Sequence, residues 1–155
     1  MTMRFLCDSH RMLLSNQPAQ AIKAWQESFD RGSLLYEKKE WQKALCFLGS
    51  AYETAEIIMI NREVSADNAY ELLASSAVLL ANNFLMLGYQ SESRKIYHLA
   101  INCLEQEISQ SSTEQLGINS YLGHLYRNLW RLDCYPEKTG VAASTTIHLM
   151  SATMH

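Results

Sequence analysis

Valine is scarce in this chain, at 3 residues, and glycine and proline together number only 8. Strands favour β-branched residues and sheets need turn residues between them, so a β-fold is excluded. No Cys-x-x-C pair occurs. Cys7, Cys46, Cys103 and Cys134 are scattered, which removes the usual zinc and redox spacings. They are expected to be free thiols in a reducing cytoplasm. No uninterrupted apolar run is longer than that from Ala77 to Ala81, far short of the roughly 20 residues that span a bilayer. Around Arg4, Asp8, His10 and Arg11 no signal-peptide core appears. There is no long basic block, and the net charge is −3. Neither nucleic acid nor an anionic membrane is an expected partner.

Leucine and alanine, by contrast, number 36 of 155 residues, and both cost little in a helix. Hydrophobic residues are 48% and charged residues 19%, so most of the chain is expected to fold. A single all-α domain over 1–135 follows, with 136–155 as a tail that is flexible or folded back. A fold of this size buries roughly 70% of the unfolded chain's surface and needs no metal, cofactor or disulfide staple.

Apolar residues three and four apart mark five helices. The first runs from about Pro18 to Lys38, capped by Asn16, with Ile22, Trp25, Phe29 and Leu35 inward. The second begins near Glu40 and buries Trp41, Ala44, Leu45, Leu48, Ala51, Ala55 and Ile58. Asp67 caps the third, whose stripe is Tyr70, Leu73, Ala77, Leu80, Ala81, Phe84 and Leu87, and Gly88 stops it. The fourth starts at Ser91, with Ile96, Tyr97, Ala100, Cys103, Leu104 and Ile108 inward. Ser111 with Glu114, or Ser112 with Gln115, forms a capping box for the fifth, which carries Ile118, Leu122, Leu125, Tyr126 and Leu129 and ends before Pro136.

Small residues recur along these helices. Gly32, Ala44 and Ala51, with Leu35 beside them, are echoed by Ala81, Ser93 and Ala100, and less completely by Leu122, Gly123 and Tyr126. This pattern resembles the tetratricopeptide repeat (TPR), in which small residues let paired helices cross closely. The likeness covers roughly residues 25–130, with offsets of 49 and 42 residues in place of the family's 34. It implies antiparallel hairpins stacked as a right-handed array of about five to seven helices, with a concave surface built from the first helix of each pair. The positions that the resemblance assigns to that groove are Phe29, Ser33 and Tyr36, then Val78, Asn82 and Leu85, then Ser120, His124 and Arg127. Phe29 and Tyr36 serve equally well as cover for the N-terminal segment. Where carboxylate-gripping TPR domains carry Lys and Asn, this chain has Phe29 and Ser33. The implied ligand is therefore an apolar protein segment, with Asn82 bonding its backbone.

Nothing in the sequence demands chemistry. His10, His98, His124, His148 and His155 lie in separate segments, none paired at i, i+4 to share a metal. Glu53 with Glu56, and Asp67 with Glu71, read as like-charged neighbours on exposed faces. Lys38, Lys39 and Lys43 alternate with Glu37 and Glu40 as a solvated surface. The expectation is a non-catalytic adaptor or chaperone-like protein that binds a protein or peptide. The alternatives are a bacterial regulatory sensor, a type III secretion chaperone and a self-associating homodimeric scaffold.

Overall fold

The computed structural model describes residues 3–62, 64–110 and 117–134, and these form six helices and no strand. They are α1 (Asp8–Asn16), α2 (Pro18–Glu37), α3 (Trp41–Ile60), α4 (Ala66–Met86), α5 (Gln90–Gln110) and α6 (Ile118–Cys134). The chain is thus all-α. The Ser111 and Ser112 capping boxes and the tail lie outside the described residues. Each of α2 to α6 packs chiefly on its neighbours in sequence, and α4 also touches α2 and α6. Its central place explains its composition. Long and apolar enough to cross a membrane by length and composition, α4 has two-thirds of that stretch buried against the other helices.

Two helical hairpins, α2–α3 and α4–α5, are built alike. In the first, Lys39 takes a left-handed φ of 62°, and Gly88 does so in the second with φ 84°. The N–H of Glu40 donates to the Leu35 carbonyl at 2.9 Å, as Tyr89 does to Phe84 at 2.8 Å. This six-residue closure is the Schellman ending of a helix, and every atom of it is displaced by 49 residues between the hairpins. Glycine suits that conformation at Gly88, whereas Lys39 holds it with a Cβ.

The register of α6 follows the same displacement. Asn83 on α4 donates from Nδ2 to the carbonyl of Trp41, the first residue of α3, at 2.9 Å. Gln90, the first residue of α5, donates from Nε2 to the carbonyl of Leu132 on α6 at 3.3 Å. Leu132 is therefore the counterpart of Asn83, and Trp130 stands where Gly32 and Ala81 stand, although the 42-residue offset had placed Gly123 there. The space around each residue agrees. A Cβ on Gly32 would lie 2.5 Å from Leu48 Cδ2, whereas a Cβ on Gly123 would meet nothing within 4 Å. Both glycines lie inside helices, where alanine is better by about 1 kcal/mol. Gly123→Ala is thus expected to stabilise by about 1 kcal/mol. Gly32→Ala should destabilise by a similar amount, because overpacking the fully buried Leu48 costs about 1–3 kcal/mol. Urea unfolding of the two variants checks the opposite signs.

Other boundaries differ for local reasons. Asn16 ends α1 rather than capping α2, whose flanking residue is Gln17, and Ser65 rather than Asp67 precedes α4. Ile22 and Ile108, expected inward, are 38% and 42% exposed.

The largest difference concerns Glu53. It is buried at 3% rather than on an exposed face. One carboxylate oxygen accepts the Phe5 N–H at 2.6 Å, and the other accepts the Leu6 N–H at 3.0 Å and Arg11 Nη1 at 2.9 Å. Phe5 lies directly over Gly49, where an added Cβ would fall 2.2 Å from its ring. The N-terminal segment is thereby fastened to α3. Glu56, one turn on, is half-buried, and burial raises its carboxyl above the ordinary range despite the pull of the nearby Tyr52 hydroxyl and Arg11. An acid with a raised folded-state value is harder to ionise folded than unfolded, so a penalty appears as pH rises past the unfolded value and is complete above the folded one. Glu56→Gln removes that penalty. It is expected to raise the melting temperature at pH 7, with the gain vanishing toward pH 4, as thermal unfolding across that range would register.

Candidate functional site

On α2, α4 and α6 the 49-residue register aligns three rows on one face. They are Phe29 with Val78 and Arg127, Ser33 with Asn82 and Arg131, and Tyr36 with Leu85 and Cys134. The rows are not equally open. Val78 and Asn82 are each only 1% exposed, so the middle of the face is closed and offers no apolar surface there. Leu85 is half-buried. Phe29 stacks on Trp25 with centroids 4.8 Å apart, and Ser33 donates its hydroxyl back to the Phe29 carbonyl at 2.7 Å. Serine of this kind bonds its own helix, leaving its Oγ committed locally. Both amide atoms of Asn82 are buried without a hydrogen-bond partner among the described residues, an arrangement that costs stability unless something else rewards it.

Within these rows the exposed members are Arg127 and Cys134, both on α6. His124, Arg127, Asn128 and Arg131 line a cleft of about 320 Å³. Their spacing of three and four residues places them along one side of the helix. Asn128 forms the floor. It is 2% exposed and donates from Nδ2 to the His124 carbonyl at 3.0 Å. Arg127 is exposed and Arg131 half-buried, and no carboxylate of the described residues lies within ion-pair distance of either. Burial first, then the two guanidiniums, lowers the His124 imidazole below its usual range. The cleft is thus a locally cationic spot in a chain of net charge −3.

Of the positions read from sequence, the fold brings His124 and Arg127 together in the cleft, leaves Ser120 exposed one turn away, and sets Phe29, Ser33 and Tyr36 at the other end of the face. Arg131 and Asn128 were missed. The signal that finds Arg131 is the 49-residue register, which equates it with Ser33 and Asn82. Chemically, the cleft can hold an anion. Among the described residues His124 has no carboxylate partner to orient it as a base, and no group of three metal-ligating side chains occurs.

Comparison with known proteins returns no match: no family model, curated protein or solved structure aligns significantly with the chain.

Proposed function

We propose that this chain is a non-catalytic interaction module that holds a segment of a partner protein along the face of α2, α4 and α6, in the manner of a TPR-like array. The observation that supports this most is the repetition itself. Two hairpins with the same turn, followed by a helix in the same register, are what a row of first helices would be built from, and such rows serve as binding surfaces in helical-repeat proteins. An adaptor or a chaperone-like holder needs no more than that surface. Site-specific photo-crosslinking tests the proposal. A benzophenone side chain placed at Leu85 or His124, in cells that make the protein, is expected to capture a partner in a band of discrete mass. The same group at Lys95, on the exposed face of α5, should not. Capture only at Lys95, or at no position, would remove the reading.

A second reading is a homodimeric scaffold. It is favoured by Trp130 and Tyr126, 66% and 46% exposed on the outer side of α6, since large exposed aromatics are enriched at interfaces. Light scattering on the wild type and on Trp130→Ala separates the two, because only the scaffold requires a dimer that the substitution weakens.

A further inference from the structure

We infer that the α6 cleft receives the carboxylates of an acidic peptide segment, with Arg127 and Arg131 as the groups that bind them. This rests on the groove reading above and changes the expected ligand from apolar to acidic at this end. Three features carry it. Two guanidiniums four residues apart on one helix face sit about 5–6 Å apart at their Cβ atoms, a separation that two acidic side chains of one extended peptide can match. Among the described residues neither has an acidic neighbour in ion-pair range, and guanidinium forks bind carboxylates in pairs of parallel hydrogen bonds. The cleft is also small. Its 320 Å³ is at the bottom of the range of about 300–1,000 Å³ seen for small-molecule sites, room for a side chain or two rather than a nucleotide. In the middle of the row Val78 and Asn82 are closed off, so a ligand reaches the cationic cleft more readily than the centre of the face.

The test uses the full chain as bait for a random dodecapeptide library displayed on phage, followed by titration of the enriched peptides as synthetic products. Peptides rich in Asp and Glu are expected, with binding about tenfold weaker on Arg127→Gln/Arg131→Gln and weaker at high salt. The charge-reversed Arg127→Glu/Arg131→Glu chain should enrich Lys- and Arg-rich peptides instead. Circular dichroism confirms that each variant keeps its helices, as expected for side chains outside the core. Acidic peptides that bind the Gln variant unchanged would overturn the inference. Displacement of the peptide by inorganic phosphate at equal concentration would also overturn it, by marking a phosphate site. Non-acidic peptides whose binding is lost on Leu85→Ala would overturn it too, yet leave the groove reading standing. If no peptide is enriched on any bait, both fall.

Discussion

Truncating Glu53 to alanine is expected to cost about 3 kcal/mol of stability and to release the N-terminal segment. Hydrogen bonds to a charged group contribute about 1.5–3 kcal/mol each, and Glu53 accepts three, from the Phe5 and Leu6 amides and from Arg11. The sum overstates the loss, because the freed amides and the partly exposed Arg11 regain water once the segment lifts away. Phe5 then also leaves its place over Gly49. Glu53→Gln keeps the shape but loses the charge and one acceptor oxygen, and should fall between wild type and alanine. Urea unfolding gives the stabilities. Limited trypsinolysis gives the local effect, since cleavage after Arg4 and Arg11 should accelerate under conditions where the rest of the fold resists. If the alanine variant is within 0.5 kcal/mol of wild type, Glu53 is not the anchor described above.

Trp25→Ala should have a still larger effect, about 3–5 kcal/mol, the usual range for removing a buried tryptophan. Trp25 is 8% exposed, stacks on Phe29, and donates its indole N–H to Ser76 Oγ at 2.8 Å across to α4. Ser76 in turn donates to the Leu72 carbonyl at 2.7 Å, so the serine serves both as acceptor and as donor. The first and second hairpins meet chiefly where α3 packs on α4, and contact between α2 and α4 is otherwise sparse, so this bond is the main polar tie between those two helices. Trp25→Phe retains much of the packing and loses the bond, and Ser76→Ala leaves the indole N–H unsatisfied. Each is expected to cost about 1–3 kcal/mol. Denaturant unfolding of all three variants checks the order, and equal losses for Trp25→Ala and Trp25→Phe would show that volume contributes little at this site.

Much of the fold was legible because burial in α5 follows the helical period and the apolar stripe of α3 is fully buried, although α3 and α4 also bury their other faces. Ala44, Leu48, Ala51, Ala55 and Ile58 are all 0% exposed, and Gly88 marks its turn by the one conformation that favours glycine. Helix α1 was not legible, since only Leu14 of its nine residues is buried and a single apolar position has no period. Glu53 was misread for another reason. Its partners come from 42 to 48 residues away, and spacing within one helix carries no information about them. The slip in α6 is instructive. The offsets of 42 and 49 residues differ by seven, two turns of helix, and seven residues return almost to the same side. His124 and Arg127 therefore fell on the right face even though Gly123 was the wrong crossing residue, while Arg131, one heptad beyond His124, went unseen.

Trp130 also bears on how such a protein can grow. A copy of residues 41–89 spliced in after Tyr89 would meet matching turns at both joints, because Glu40 and Tyr89 close their hairpins with the same bond. The turn geometry thus admits duplication within the chain, each added unit contributing one more pair of helices. Growth by docking a further helix on α6 is not admitted. A helix approaching α6 as α3 approaches α2 would need the space that Gly32 leaves open and would find an indole there. The turns place no bar on lengthening the chain in the interior, although a copied Leu48 would meet the Cβ of Ala81 where it now faces Gly32. A further helix packed on α6 as α3 packs on α2, by contrast, would require replacing Trp130 with a small residue.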